Sequence, residues 1–170
     1  MSHQFERVPY TKLNSRQREN YNFQKVSAVL ADYGFSTIRL SSDWQGADFI
    51  AQHLDGTTFL KVQLKPRLTL EKKYMHRDLH VCFPSGYDWY LFPHDELVRA
   101  VLDDSTVGQS ASWERGGYSY PTLSKKMKQR LGPYRLPGTS TEGLSVATDA
   151  RAGDNAIRAA GKRSLRSGCG

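Results

Sequence analysis

The chain has 170 residues, 38% hydrophobic and 24% charged, which suffices for one domain with its own core. Its formal net charge of +7 favours a polyanionic partner over an acidic small molecule. No apolar run is long enough to cross a bilayer, the opening Met1–Arg7 lacks the apolar centre of a signal peptide, and neither Cys82 nor Cys169 has a Cys or His at zinc-ligand spacing. The expected location is therefore cytoplasmic, with no membrane partner.

Residues 1–14 read as an N-terminal arm. A helix is predicted from Ser15 to Tyr33, with Asn14 as N-cap, Gln17 as its capping-box partner and Gly34 as the residue that stops it. Phe23, Val26, Val29, Leu30 and Tyr33 recur at helical spacing and form its buried stripe. Glu19 lies one turn before Phe23 on the same side. It reads either as a carboxylate aimed at a site or as an ordinary complement to the positive end of the helix dipole. A strand follows over Phe35–Leu40, then a turn around Asp43 and Gly46.

The next segment is the most informative. Asp48–Leu54 and Thr57–Lys65 alternate, and Asp55-Gly56 between them signals a two-residue type I′ hairpin turn. Counting back from that turn pairs Ala51 with Leu60, Phe49 with Val62 and Asp48 with Gln63. One face then carries Phe49, Ala51, Leu60, Val62 and Leu64. The other carries Asp48, Ile50, Gln52, Phe59, Lys61, Gln63 and Lys65. Directly opposed residues hold their Cβ atoms about 4.5–5.5 Å apart. Asp48 and Gln63 can then share a ligand within reach of Lys65. The ordinary alternative is the solvated face of an amphipathic hairpin; Ile50 and Phe59 on that face argue that it is partly covered.

Downstream, Leu68–Arg77 is ambiguous. Leu79, Val81 and Phe83 alternate as a strand in which Cys82 is a buried thiol, Pro84–Gly86 form a turn, and Trp89–Phe92 form another strand. Pro93 opens a helix with Asp95 and Glu96 near its positive end and Leu97, Val98, Val101 and Leu102 on its apolar side. His94 reads as a ligand or proton carrier, or as a packed first-turn residue near Trp89 or Tyr90. Residues 103–137 form an aromatic and basic extension, with a short helix predicted over Thr122–Leu131. Lys125, Lys126, Lys128 and Arg130 on that helix, with Lys61 on the hairpin, are the candidate nucleic-acid contacts, the alternative being a docked helix with a solvated basic face. Residues 138–170, rich in Gly, Ser, Thr and Ala, are expected to be a mobile basic tail.

A helix bearing Glu19, a strand, Asp48 opening the next strand and Gln63-Leu64-Lys65 on the third resemble the PD-(D/E)XK nuclease superfamily, over Ser15–Leu102. Ala47 stands where Pro is frequent and Gln63 where Glu or Asp is usual, a Gln-X-Lys variant. The resemblance implies an α/β fold: a restriction-endonuclease-like α-β-β-β-α-β core over 15–102, with a mixed sheet flanked by helices and a C-terminal extension. It also implies a helix in the region of Leu68–Arg77, where there is little room for one. It implies Mg²⁺ or Mn²⁺ held by Asp48, the Gln63 side-chain oxygen and the Leu64 carbonyl. Lys65 would orient or help deprotonate the attacking water, and Glu19 would stand nearby as a further carboxylate. Asp43 is an alternative ligand, or more simply a turn residue. The implied activity is metal-dependent hydrolysis of a nucleic-acid phosphodiester, DNA being the expected substrate. A homodimer is compatible with it, as many of the group cut duplex DNA as dimers. The rival reading is a catalytically silent nuclease-fold module that binds nucleic acid or a partner protein, Gln63 marking the lost activity.

Overall fold

The computed structural model describes residues 5–137; the predicted tail over 138–170 lies outside them. Helix α1 (Ser15–Ala31) starts where the sequence sets a reciprocal cap. Asn14 Oδ1 accepts from the Gln17 N–H and Gln17 Oε1 accepts from the Asn14 N–H, each at 2.9 Å. It stops before Gly34, whose φ of +77° reverses the chain into β1.

Strands β1 (Phe35–Trp44), β2 (Ala47–His53) and β3 (Phe59–Leu64) form an antiparallel meander. After β3 the chain makes a short β4 (Thr69–Glu71) and a 3-10 turn (Lys72–Tyr74), then enters β5 (Leu79–Ser85) parallel to β3. An antiparallel β6 (Asp88–Pro93) and helix α2 (His94–Asp103) follow. Two short helices come next, α3 (Ala111–Glu114) and α4 (Lys125–Leu131), with β7 (Gly117–Ser119) between them and β8 (Arg135–Leu136) after them. The main sheet runs β1-β2-β3-β5-β6-β8, and β4 pairs with β7 in a separate two-stranded sheet. The sheet is mixed and flanked by helices, as expected. The place of a helix between the third strand and its parallel neighbour is taken by β4 and the 3-10 turn, because only the residues from Lys65 to Asp78 are available for the crossover.

Two hydrophobic layers sandwich the sheet. On one side Val26, Val29 and Leu30 of α1 pack on Phe49, Ala51, Val62, Leu64, Cys82 and Trp89. On the other, Leu97, Val98 and Val101 of α2, with Val107, Trp113, Met127 and Leu131, cover Val81, Phe83, Tyr90 and Phe92. Residues beyond 103 thus complete the core on this side, and β8 pairs with β6. The alternation read from the sequence decides these faces. Phe49 pairs with Val62 and Ala51 with Leu60, the anticipated register.

The turn that joins them differs from expectation. Only Gly56 has positive φ, at +74°; Asp55 does not, which excludes type I′. Asp55 instead accepts from the Thr57 and Thr58 N–H groups, each at 2.8 Å, and from the Thr58 hydroxyl at 2.7 Å. This side-chain-closed turn is wider, with His53 N–H bonded to Thr58 O at 2.9 Å, and it preserves the register.

Candidate active site

Asp48 is the second residue of β2, and Gln63 and Leu64 are the last two of β3. One step beyond the Phe49–Val62 pair, Asp48 stands across from Gln63. Gln63 Nε2 donates to Asp48 Oδ2 at 2.5 Å and lies 3.4 Å from the Leu64 carbonyl oxygen. The same Oδ2 accepts from the Leu64 N–H at 2.7 Å. The carboxylate, the amide and the carbonyl therefore converge, with Gln63 buried and Asp48 half-buried.

Lys65 continues the parallel pairing through its N–H to the Cys82 carbonyl, 2.8 Å. Its ammonium is held by the segment that follows β3. It donates to Glu71 Oε1 at 2.7 Å and to the Tyr74 hydroxyl at 3.0 Å. Burial works against the Lys65 charge, but the hydrogen bonds to Glu71 and Tyr74 outweigh it and hold its pKa above the ordinary lysine value. Burial likewise opposes the Glu71 carboxylate, and its bonds to Lys65 and Lys73 overcome that and hold its pKa below the usual range. Lys73 Nζ lies 2.9 Å from Glu71 Oε2, so the carboxylate bridges two ammonium groups.

Beneath this pair lies His94, fully buried at the start of α2. Its Nε2 accepts from the Glu71 backbone N–H at 3.3 Å and its Nδ1 faces Asp95 Oδ1 at 3.0 Å. Its ring meets Tyr74 edge-on, centroids 5.7 Å apart, and not Trp89 or Tyr90 as the sequence suggested. His94 thus supports the backbone that carries Glu71.

The remaining candidates are placed elsewhere. Glu19 pairs with Arg39 at 2.6 Å and is more than half exposed. Arg39 is the register partner of Phe49, so this ion pair lies on the α1 face, opposite the side to which Asp48 points. Lys61 donates to the Arg77 carbonyl at 2.5 Å and lies 3.7 Å from Asp78. On α4, Lys126 and Arg130 both bind Asp104, while Lys125 and Lys128 are exposed. Asp43 falls at the end of β1, and its side chain is outside the described set.

Glu71, Lys73 and Tyr74 were missed from the sequence. A signal existed in the alternation of Leu68, Thr69, Leu70 and Glu71, where both leucines are buried. Their partner strand β7 lies nearly fifty residues downstream, however, and nothing local announces it.

Among the described residues, no group of three or more His, Cys, Asp or Glu is placed to hold a metal ion. The donor set is nevertheless compatible with one hard cation. A carboxylate, a side-chain amide oxygen and a backbone carbonyl are all oxygen donors of the kind Mg²⁺ takes, with water completing the shell. Rotation of the Gln63 amide about its terminal torsion exchanges Nε2 for Oε1 against Asp48. One carboxylate supplies little charge, so the site would hold the ion weakly.

The structure is similar to the bacterial homing endonuclease I-Ssp6803I, with 14% identity over 72% of this chain and 87% of that one and a TM-score of 0.45. It is also similar to Hjc, a Holliday junction resolvase from Archaeoglobus fulgidus, with 20% identity over 44% of this chain and 70% of that one and a TM-score of 0.34. Both likenesses concern the fold alone and say nothing of the chemistry here. No protein-family model matches the chain, and no curated protein does.

Proposed function

We propose that this protein hydrolyses nucleic-acid phosphodiester bonds, DNA being the preferred substrate, with a divalent cation at Asp48. The observation that carries the reading is the meeting of Asp48 Oδ2, the Gln63 amide and the Leu64 carbonyl at one end of β2 and β3. Asp48, Gln63 and Leu64 would hold Mg²⁺ or Mn²⁺. When bound, such an ion polarises a phosphoryl oxygen and acidifies water.

The chain's own residues divide the remaining work. Asp48 is oriented by the Leu64 N–H, which fixes one carboxylate oxygen. Lys65 supports the reaction as a permanent positive charge. With its pKa raised, the ammonium is a poor base at neutral pH and a good electrostatic partner for the charge that develops on phosphate oxygens. Glu71 and Tyr74 keep that ammonium in place. Glu19 enters the proposal only as a carboxylate that must leave Arg39 and reach past the sheet from the α1 face before it can serve the site.

One observation favours the rival reading of a silent binding module. Gln63 supplies a neutral donor where a second carboxylate would strengthen cation binding. Incubation of the purified chain with plasmid and single-stranded DNA, with Mg²⁺, with Mn²⁺ and with chelator, separates the two. Metal-dependent cleavage that disappears in Asp48→Ala and Lys65→Ala supports the enzyme. Salt-sensitive binding without cleavage under any condition supports the module.

A further inference from the structure

The small β4–β7 sheet opens an unassigned cleft of about 620 Å³ lined by Thr69, Glu71, Lys72, Lys73, Arg115 and Ser119, among others. Three cations face one carboxylate, and that carboxylate is already bonded to Lys65 and Lys73. The local charge is therefore positive. The Lys72 ammonium sits over the Trp113 ring, 5.3 Å from its centroid, which holds it at the wall of the cleft. Thr69 and Ser119 place their hydroxyls 3.2 Å apart across the two strands. Cations and hydroxyl donors on an open surface suit the oxygens of a phosphodiester chain.

Glu71 joins this cleft to the candidate site. Its Oε1 is bonded to Lys65 and its Oε2 to Lys73, so a single carboxylate separates the lysine next to Gln63 and Leu64 from the cations of the cleft. Of the basic residues picked from the sequence, Lys125 and Lys128 are exposed on α4, away from Glu71 in the chain, and the other three are held. Lys61, Lys126 and Arg130 are engaged with other groups of the chain.

Resting on the nuclease reading above, we infer that the β4–β7 cleft is a track for the nucleic-acid backbone, in which Lys72, Lys73 and Arg115 contact phosphates flanking the one held near Asp48. The contacts are to phosphate and carry no base sequence. Lys73 exchanges Glu71 for phosphate when the strand is bound.

The test is binding of a fluorescently labelled DNA duplex to the full chain in chelator, followed by anisotropy over a salt series. The double variant Lys72→Gln/Arg115→Gln is expected to bind severalfold more weakly and to lose about two from the salt slope. Unchanged affinity and slope in a variant that melts like the wild type overturn the track. Acetylation footprinting of the wild-type chain is a second readout that needs no variant. Lys72 and Lys73 are expected to be protected by duplex while exposed Lys25 on α1 stays reactive. Equal reactivity of Lys72 and Lys73 with and without bound duplex overturns the proposal. The two readings fail separately. Protection without cleavage in Mg²⁺ or Mn²⁺ sinks the nuclease and keeps the track. Cleavage without protection sinks the track and keeps the nuclease.

Discussion

Gln63 donates its side-chain N–H to Asp48 across 2.5 Å, and Asp48 uses the same oxygen to accept the Leu64 N–H. Asp48 is therefore both the candidate ligand and the acceptor that satisfies two donors at the end of β3. Asp48→Ala strips both and is expected to cost about 1–3 kcal/mol of stability along with all cleavage. Asp48→Asn keeps an acceptor oxygen and should recover most of the stability but none of the activity. Thermal melts beside plasmid nicking in Mg²⁺ decide this. Nicking that persists undiminished in Asp48→Asn would remove Asp48 from the chemistry.

Gln63→Glu sets two carboxylates against each other. Without metal, like charges at this spacing raise one pKa and destabilise the fold at neutral pH. In chelator the variant should melt below the wild type at pH 8, with the gap closing near pH 5 as the pair takes up a proton. Mg²⁺ should then raise the melting temperature of the variant more than that of the wild type, because the ion gains a charged ligand. Equal Mg²⁺ responses in the two proteins would count against a cation at this position.

The face of each strand in the hairpin was legible because burial enforces it. Phe49, Ala51 and Val62 can reach α1 only in one register, and that register carries Asp48 to Gln63. The turn was legible as a turn but not by type, because the Asp55 carboxylate closes it through the Thr57 and Thr58 N–H groups. Glu19 was read by helical period as lying in line with Phe23. Period fixes the side of a helix and not the partner, which is Arg39 on β1. The partner of Lys65 was illegible for another reason. Glu71 is held in place by pairing with Gly117, and its backbone N–H by His94; both contacts are distant in sequence.

Glu71→Gln removes the charge that Lys65 and Lys73 share. The Lys65 and Glu71 side chains are 16% and 20% exposed, so screening is incomplete and a loss of about 1–3 kcal/mol at pH 7 is expected. The pH dependence follows from the sign of the shift. Glu71 is depressed below its ordinary 4.5, so its contribution is present above that pH and fades as the pH falls toward the depressed value. The wild type and Glu71→Gln should differ in melting temperature at pH 7, and the difference should shrink as the pH falls below 4.5 toward the depressed value. A constant difference from pH 7 to pH 3 would show that the ion pair contributes nothing to stability.

His94, like Glu71, loses its contribution on acidification, but its window opens at 6.5 and not at 4.5. The Glu71 N–H requires an unprotonated Nε2, and Asp95 Oδ1 takes the proton on Nδ1, so only the neutral ring satisfies both. Burial lowers the His94 pKa below 6.5 although Asp95 and Glu71 pull it upward; Lys65 adds to the lowering. Unfolded chain therefore takes up the proton first as the pH falls below 6.5, and stability declines from there toward the folded pKa. His94→Gln keeps an acceptor for Glu71 but cannot titrate. It should melt lower than the wild type at pH 7.5 and lose less on going to pH 5.5. Because the protonated ring would repel the Glu71 N–H, lowering the pH through the folded-state pKa of His94, which lies below 6.5, should loosen β4 and lower DNA cleavage in the wild type more than in the variant, measured relative to each protein at pH 7.5. A ring carbon shift in the NMR spectrum that titrates at or above pH 6.5 would contradict the neutral assignment.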